Sequence, residues 1–203
     1  MPISYPLDMP SVPGARRVNL FCVSNVSVNR SPYTFISQVQ AHPGQIWGAE
    51  VTLPSMNRPE AEQWTAWLLK LNGPQGTFKL GDPLGKMPRG IGTNSALVNG
   101  AGQFGQSLTI DGLPISTSGV LLTGDYIELE QRLYKVLNDV TSDGSGGATI
   151  DIWPLLRNSP ADNAVISTKN CKGLFRLTQT TNPVYSADEN SLFEFSFSCI
   201  EAL

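Results

Sequence analysis

Only one stretch of this chain, over about 59–71, places apolar residues at helical spacing; elsewhere they alternate with polar residues or stand in short runs cut by Gly and Pro. Strand side chains repeat every two residues and helix side chains every 3.6, so this contrast predicts a mainly β fold with one flanking α-helix. Trp64, Trp67, Leu68 and Leu71 fall at i, i+3, i+4 and i+7 and form one apolar stripe. Asn57 with Glu60 makes a capping-box start, and Pro59 is tolerated in the first turn. Lys70 suits the negative C-terminus, and Asn72-Gly-Pro ends the helix. The 19 glycines and 15 prolines, set against only 15% charged residues, supply the many short connections of a β-rich protein.

Residues 1–15 carry four prolines and one glycine, which predicts an extended arm, either disordered or lying on a neighbouring subunit. Val18, Leu20 and Cys22 then alternate with Arg17 and Asn19, and Val26 and Val28 follow. A second stretch over 33–39 leads through a turn at His42-Pro-Gly into a third strand over 46–53, with Val51 and Leu53 on one face. Gly76-Thr-Phe-Lys-Leu recurs as Gly173-Leu-Phe-Arg-Leu, as expected of two strands of one sheet separated by an insertion. The last strand, over 192–201, sets Phe193, Phe195 and Phe197 on one face.

The intervening segment, 91–168, has strand patterns around 107–110, 125–130, 133–139 and 148–153 and no helix. Ser142-Asp-Gly-Ser-Gly-Gly supplies residues that tolerate positive φ and predicts a hairpin. This is the pattern of a small barrel of the OB or SH3 kind. The expected division is therefore a core domain, 1–90 together with 169–203, and an inserted OB-like β-barrel, 91–168.

Chemistry-bearing motifs fail on context. Gly100-Ala-Gly-Gln-Phe-Gly has the spacing of a dinucleotide-binding loop with Asp125 beyond it, but Gln106-Ser-Leu-Thr-Ile continues as a strand, not the helix such a loop requires. Asp139-Val-Thr-Ser-Asp-Gly imitates a calcium loop, yet Ile150 stands where the bidentate glutamate belongs. Gly85-Lys86 lacks the rest of a phosphate loop. The sole histidine, His42, sits in the expected turn, and Glu128 with Glu130 has the look of a solvated strand face. Cys22, Cys171 and Cys199 have no metal-site spacing and are expected to be buried free thiols, in keeping with assembly in a reducing host cytoplasm. No catalytic, cofactor-binding or metal-ligating residue is assigned. A net charge of −3 with scattered basic residues, Arg16-Arg17 being the nearest to a cluster, argues against nucleic-acid specificity. No apolar run is long enough to span a membrane, and the start lacks the pattern of a secretory signal.

Several phrases in order carry a resemblance: Arg17-Val-Asn-Leu, Trp47-Gly, the Trp/Leu helix running into Gly76-Thr-Phe-Lys-Leu, Thr123-Gly-Asp-Tyr-Ile-Glu-Leu, Leu133-Tyr-Lys-Val, Trp153-Pro-Leu-Leu-Arg, and the closing strand ending Glu201-Ala-Leu. Over nearly its whole length the chain resembles the distal tail (Dit) proteins of siphophages, particularly those with an OB-like inserted domain. The resemblance implies a tail-tube-like β-sandwich or split barrel with one flanking helix. It also implies a homohexameric ring that joins the tail tube protein to the tail-tip hub protein of the baseplate, in the virion. The inserted barrel would face outward, for docking fibre or collar proteins or for binding host saccharide. Ring closure needs head-to-tail contacts, for which the strand edges at 30–45 and the proline-rich arm are the candidates. The alternatives are a tail tube or terminator subunit and a carbohydrate-binding module, for which Trp47, Trp64, Trp67 and Trp153 would be the stacking residues. A tail-associated hydrolase is the catalytic alternative, with no nucleophile motif to support it.

Overall fold

The computed structural model describes residues 3–93, 95–180, 186–187 and 192–203. It is mainly β with one α-helix, α1 (Arg58–Leu71). The strands are β1 (Arg17–Arg30), β2 (Ser37–Thr52), β3 (Phe78–Leu80), β4 (Leu97–Val98), β5 (Gly105–Asp111), β6 (Ser118–Leu121), β7 (Tyr126–Leu129) and β8 (Arg132–Val136). They continue as β9 (Val140–Thr141), β10 (Ala148–Leu156), β11 (Ile166–Ser167), β12 (Gly173–Leu177), β13 (Ser186–Ala187), β14 (Phe193–Glu194) and β15 (Ser196–Glu201).

A five-stranded antiparallel sheet has the order β1-β2-β15-β12-β3. The repeated Gly-x-Phe-basic-Leu phrases are direct neighbours in it, with Phe175 opposite Phe78 and Gly173 opposite Leu80. The helix lays its stripe on this sheet: Trp64, Trp67, Leu68 and Leu71 are buried with Phe78, Phe175 and Phe197. Trp67 meets Phe78 edge-on at 5.1 Å, and Phe78 meets Phe197 at 6.1 Å, the tilted geometries that aromatic quadrupoles favour. The helix begins as its sequence predicts, with the Asn57 N–H donating to Glu60 Oε2 at 3.3 Å. It ends at Asn72, whose φ of 51° is the left-handed stop.

A six-stranded sheet of order β11-β7-β8-β10-β5-β4 curls into a nearly closed barrel. An isolated bridge between Leu97 of β4 and Val165, beside β11, brings its two edges together. Its interior is a second apolar cluster that includes Leu108, Ile110, Ile127, Ile150 and Ile152. Tyr126 and Leu133 of this sheet belong to the first cluster instead, so the barrel is seated on the five-stranded sheet. The strands expected around 107–110, 125–130, 133–139 and 148–153 correspond to β5, β7, β8 and β10. β4, β6, β9 and β11 have only two to four residues each, too few to carry a periodicity.

Four local expectations are corrected. His42-Pro-Gly is not a turn: β2 runs through it, and the reversal lies at Ser31–Ile36, where the Ser31 N–H donates to the Ile36 carbonyl. Pro43 is accommodated because the ladder shifts register there, between the pairs Ser24–Gln45 and Val26–Ala41, and a bulge needs no donor from it. The proline-rich arm lies on its own chain, with Leu7 bridged to Phe78 and the Tyr5 hydroxyl donating to the Lys70 carbonyl. The last strand is broken at Phe195, whose carbonyl accepts the Leu53 N–H. The turn over 142–147 joins β9, paired with β6, to β10, paired with β5 and β8, so it does not close a two-stranded hairpin.

Candidate assembly surface

Period-two alternation and burial part company along β1 and β2. Near the helix the face carrying Val51 and Ala49 is buried, and β15 pairs with β2 from Thr52 to Gly48. Beyond Ser24 and Gln45 the two strands pair only with each other. From Asn25 to Arg30 the ribbon projects about 20 Å at the usual strand rise. Its faces are chemically distinct. Val26 opposite Ala41 and Val28 opposite Val39 make one face, while Ser27 opposite Gln40 and Asn29 opposite Gln38 make the other. Val28 is 58% and Val39 66% exposed, and the tip adds Tyr33 at 93% with Phe35 and Ile36 also open.

A two-stranded ribbon is marginal in water by itself, and proteins normally guard a free edge with Lys, Pro or inward charge. Here β1 is an edge along its whole length, and between residues 18 and 45 Arg30 is the only Lys, Arg, Asp or Glu. The 30–45 segment expected at an interface does present apolar side chains and an unpaired edge to solvent, although Pro43 lies in it. The arm, the other candidate, spends its polar contacts inside the chain: Leu7 N–H donates to the Thr77 carbonyl at 2.8 Å and Lys79 N–H to the Leu7 carbonyl at 3.3 Å.

The base of the ribbon is locked to the barrel. Arg157, just past β10, donates in a bidentate pair to Glu201, with Nη1 to Oε1 at 3.1 Å and Nη2 to Oε2 at 3.0 Å. Glu201 Oε2 also accepts the Trp47 N–H at 3.2 Å, and Arg157 donates to the Gln45 carbonyl. Gln45 in turn accepts the Leu155 N–H at 2.9 Å, and Trp47 Nε1 donates to the Leu133 carbonyl at 2.8 Å. Trp47 and Trp153 pack edge-to-face at 4.5 Å over this joint. Ribbon and barrel thus share one polar anchor, which sequence reasoning missed. Its one visible signal is parity, since Glu201 falls on the same strand face as Phe197 and Cys199 and so faces the core.

The residues singled out as decoys have structural partners. Gly100, Gly102 and Gly105 all have positive φ in an open loop that runs into β5. Asp125 is buried and accepts from the N–H groups of Arg89 at 2.7 Å, Gly90 at 3.1 Å and Leu122 at 2.8 Å. Asp139 accepts from the Thr123 N–H and hydroxyl, and Asp143 from the Ser145 N–H and hydroxyl and the Gly147 N–H. Glu128 accepts the Lys172 N–H at 2.9 Å, but Glu130 does not share its strand face. It and Gln131 have φ of 50° and 62° and form the two-residue turn between β7 and β8. Trp64 and Trp67 are core, and Trp47 is 2% exposed, so these three offer no stacking face. Among the described residues, no group of three His, Cys, Asp or Glu side chains is placed to hold a metal ion. Nor is any described helix long and apolar enough to cross a membrane. No protein-family model matches the chain, and no curated protein matches it by sequence.

Two outcomes follow from the titratable groups. Hydrogen bonds from Thr123 hold Asp139, and those from Ser145 and Gly147 hold Asp143, below the ordinary carboxylate value of 3.8. A depressed folded-state value stabilises the fold above the unfolded value, and that contribution is lost as pH falls through the folded one. The advantage in Tm of the wild type over Asp143→Ala should therefore be full at neutral pH and narrow below 3.8 in a thermal-melt series. The thiols divide differently from expectation. Cys171 and Cys199 are buried, and burial pushes each up to about 12, whereas Cys22 is exposed where β1 leaves the body. A thiol-titrating reagent should label Cys22 alone in the native protein and all three cysteines in denaturant.

Proposed function

We propose that the chain is a structural subunit of a bacteriophage tail, the distal tail protein of a siphophage, acting as a homohexameric ring between the tail tube and the tail-tip hub in the virion. The observation that carries this reading is the projecting β1–β2 ribbon, with its unguarded edge and segregated apolar face. Such a surface is completed by another strand, and a ring closes when the β1 edge of each subunit meets a different surface of the next, a head-to-tail contact, instead of its own copy. The phrase-by-phrase resemblance to distal tail proteins supports the same role.

Within this reading the five-stranded sheet and α1 are a tail-tube-like sandwich or split barrel, built from 1–90 and 169–203. The barrel over 91–168 is an OB-like insertion facing outward, toward fibre or collar proteins. The division into two apolar clusters supports that partition. The polar anchor of Arg157 and Glu201 would hold the barrel at a set angle to the ring. The chain acts by assembly, without catalysis.

Light scattering coupled to size exclusion tests this. The wild type should show a species near six times 21.9 kDa that grows with concentration. A double variant, Val28→Lys with Val39→Glu, keeps the ribbon paired through opposite charges but removes its apolar face. It should be monomeric, with Tm within about 2 °C of wild type, the shift expected of a small surface effect. A wild type that stays monomeric at every concentration, or a double variant that still assembles, overturns the reading.

A further inference from the structure

Three lysines line one cleft beside the N-terminal arm. It opens where the N-terminal arm, tied to the edge of β3 at Leu7, parts from the sheet and crosses the helix. There the Pro13 carbonyl accepts from Trp64 Nε1 at 3.3 Å, which closes the far end. The space is about 610 Å³, and its partly exposed apolar floor is Met9, Pro10 and Val18, with Trp64 and Leu80 buried beneath. Lys79 comes from β3, Lys86 from the loop after it, and Lys172 from the residue before β12, so three separate segments deliver one charge each. Asp8 is the one carboxylate on the wall.

The lysines are not ion-paired, although Glu128 lies beside Lys172, whose N–H it accepts at 2.9 Å. The ion pairs among the described residues are Arg58 with Glu62 and Arg157 with Glu201, so none of these lysines has a carboxylate partner there. The chain as a whole is net −3, yet this cleft gathers three of its 14 basic residues against one acid. Like charges brought together raise the local potential and favour an anionic occupant.

We propose that this cleft docks an extended, acidic segment of a partner protein, one that alternates apolar and carboxylate side chains. The apolar floor takes the first set and the lysine rim the second. Residues 8–15 form one wall of the cleft after the arm leaves β3 at Leu7. A nucleic-acid strand fits less well, because Trp64 is only 1% exposed and has no ring face free for a base. The proposal stands apart from the ring contact, which uses the projecting part of β1 beyond Ser24, whereas Val18, near the start of β1, lines the cleft.

The probe is a fluorescein-labelled hexapeptide alternating leucine and glutamate, with glutamine replacing glutamate in the control, read by anisotropy on the full chain. Partly exposed ion pairs contribute about 0.5 kcal/mol each, so three amount to roughly tenfold in affinity. The acidic peptide should bind about tenfold more tightly than the amide control. The triple variant Lys79→Gln, Lys86→Gln, Lys172→Gln should lose that margin while its circular dichroism and Tm stay those of the wild type, and Asp8→Asn should tighten binding. Equal affinity for the two peptides, a triple variant as tight as wild type, or no binding at about 1 mM peptide, the millimolar limit of weak association, overturns the proposal. So does displacement of the probe by inorganic phosphate as effective as that by unlabelled peptide, which would make this a small-anion site.

Discussion

Glu201→Ala should lower the unfolding free energy by about 3 kcal/mol, the usual cost of removing one partner of a buried ion pair. For a chain of this size that is a fall in Tm of roughly 6–12 °C. The physical reason is the number of donors it orphans. The Glu201 side chain is 3% exposed, and its two oxygens accept both guanidinium nitrogens of Arg157 and the Trp47 N–H. Alanine leaves the Trp47 N–H without its acceptor and the guanidinium with only the Gln45 carbonyl. Glu201→Gln keeps one acceptor oxygen and should lose less, and Arg157→Lys, unable to span both oxygens, should fall between. Urea denaturation gives the magnitudes. Hydrogen exchange adds a second readout, since Leu155 N–H and Trp47 N–H, one on each side of the joint, should lose protection together. A loss below about 1 kcal/mol would place the pair among exposed surface bridges and remove the anchor from the account.

Phe78→Ala should cost about 4 kcal/mol, the range for deleting a buried phenylalanine. Phe78 is fully buried, and its ring touches Trp67 at 5.1 Å, Phe197 at 6.1 Å and Phe175 at 6.5 Å. Those neighbours come from the helix and two other strands, so collapse into the cavity would have to move several elements at once. Phe78→Leu, closer in volume, should cost roughly 1–1.5 kcal/mol. Guanidinium denaturation followed by tryptophan emission measures both, because Trp67 reports the same contact. An alanine variant within about 1.5 kcal/mol of wild type would mean that the aromatic cluster is not what holds helix to sheet.

Much of this core was legible before any coordinates. The stripe of Trp64, Trp67, Leu68 and Leu71 and the alternation of Phe193, Phe195 and Phe197 are local periodicities, each set by the geometry of one element. The repeated Phe-basic-Leu phrase marked two strands that prove to be partners because both must turn a Phe and a Leu to the same core. The candidate surface was legible only in part. The segment 30–45 carries strand pattern with Arg30 its only Lys, Arg, Asp or Glu, but His42-Pro-Gly and Ser31-Pro-Tyr-Thr both have the chemistry of a turn, and local chemistry does not choose between them. Pairing with β1 carried β2 straight through the proline, and a register shift absorbed the missing donor. The proline-rich arm, expected to be disordered or to lie on a neighbouring subunit, lies on its own chain. What it needed was an exposed edge, and β3 of its own chain offers one at Phe78.

By itself the sequence determined the mainly β class, the helix with its cap and stop, and the faces of the longer strands. Each of those depends on residues a few positions apart. The tertiary structure alone decided that β1 and β2 outrun the sheet into a bare ribbon, that Arg157 reaches Glu201 across 44 residues, and that three lysines from separate segments share one cleft. These are meetings between distant parts of the chain, and a pattern of neighbours carries no term for them.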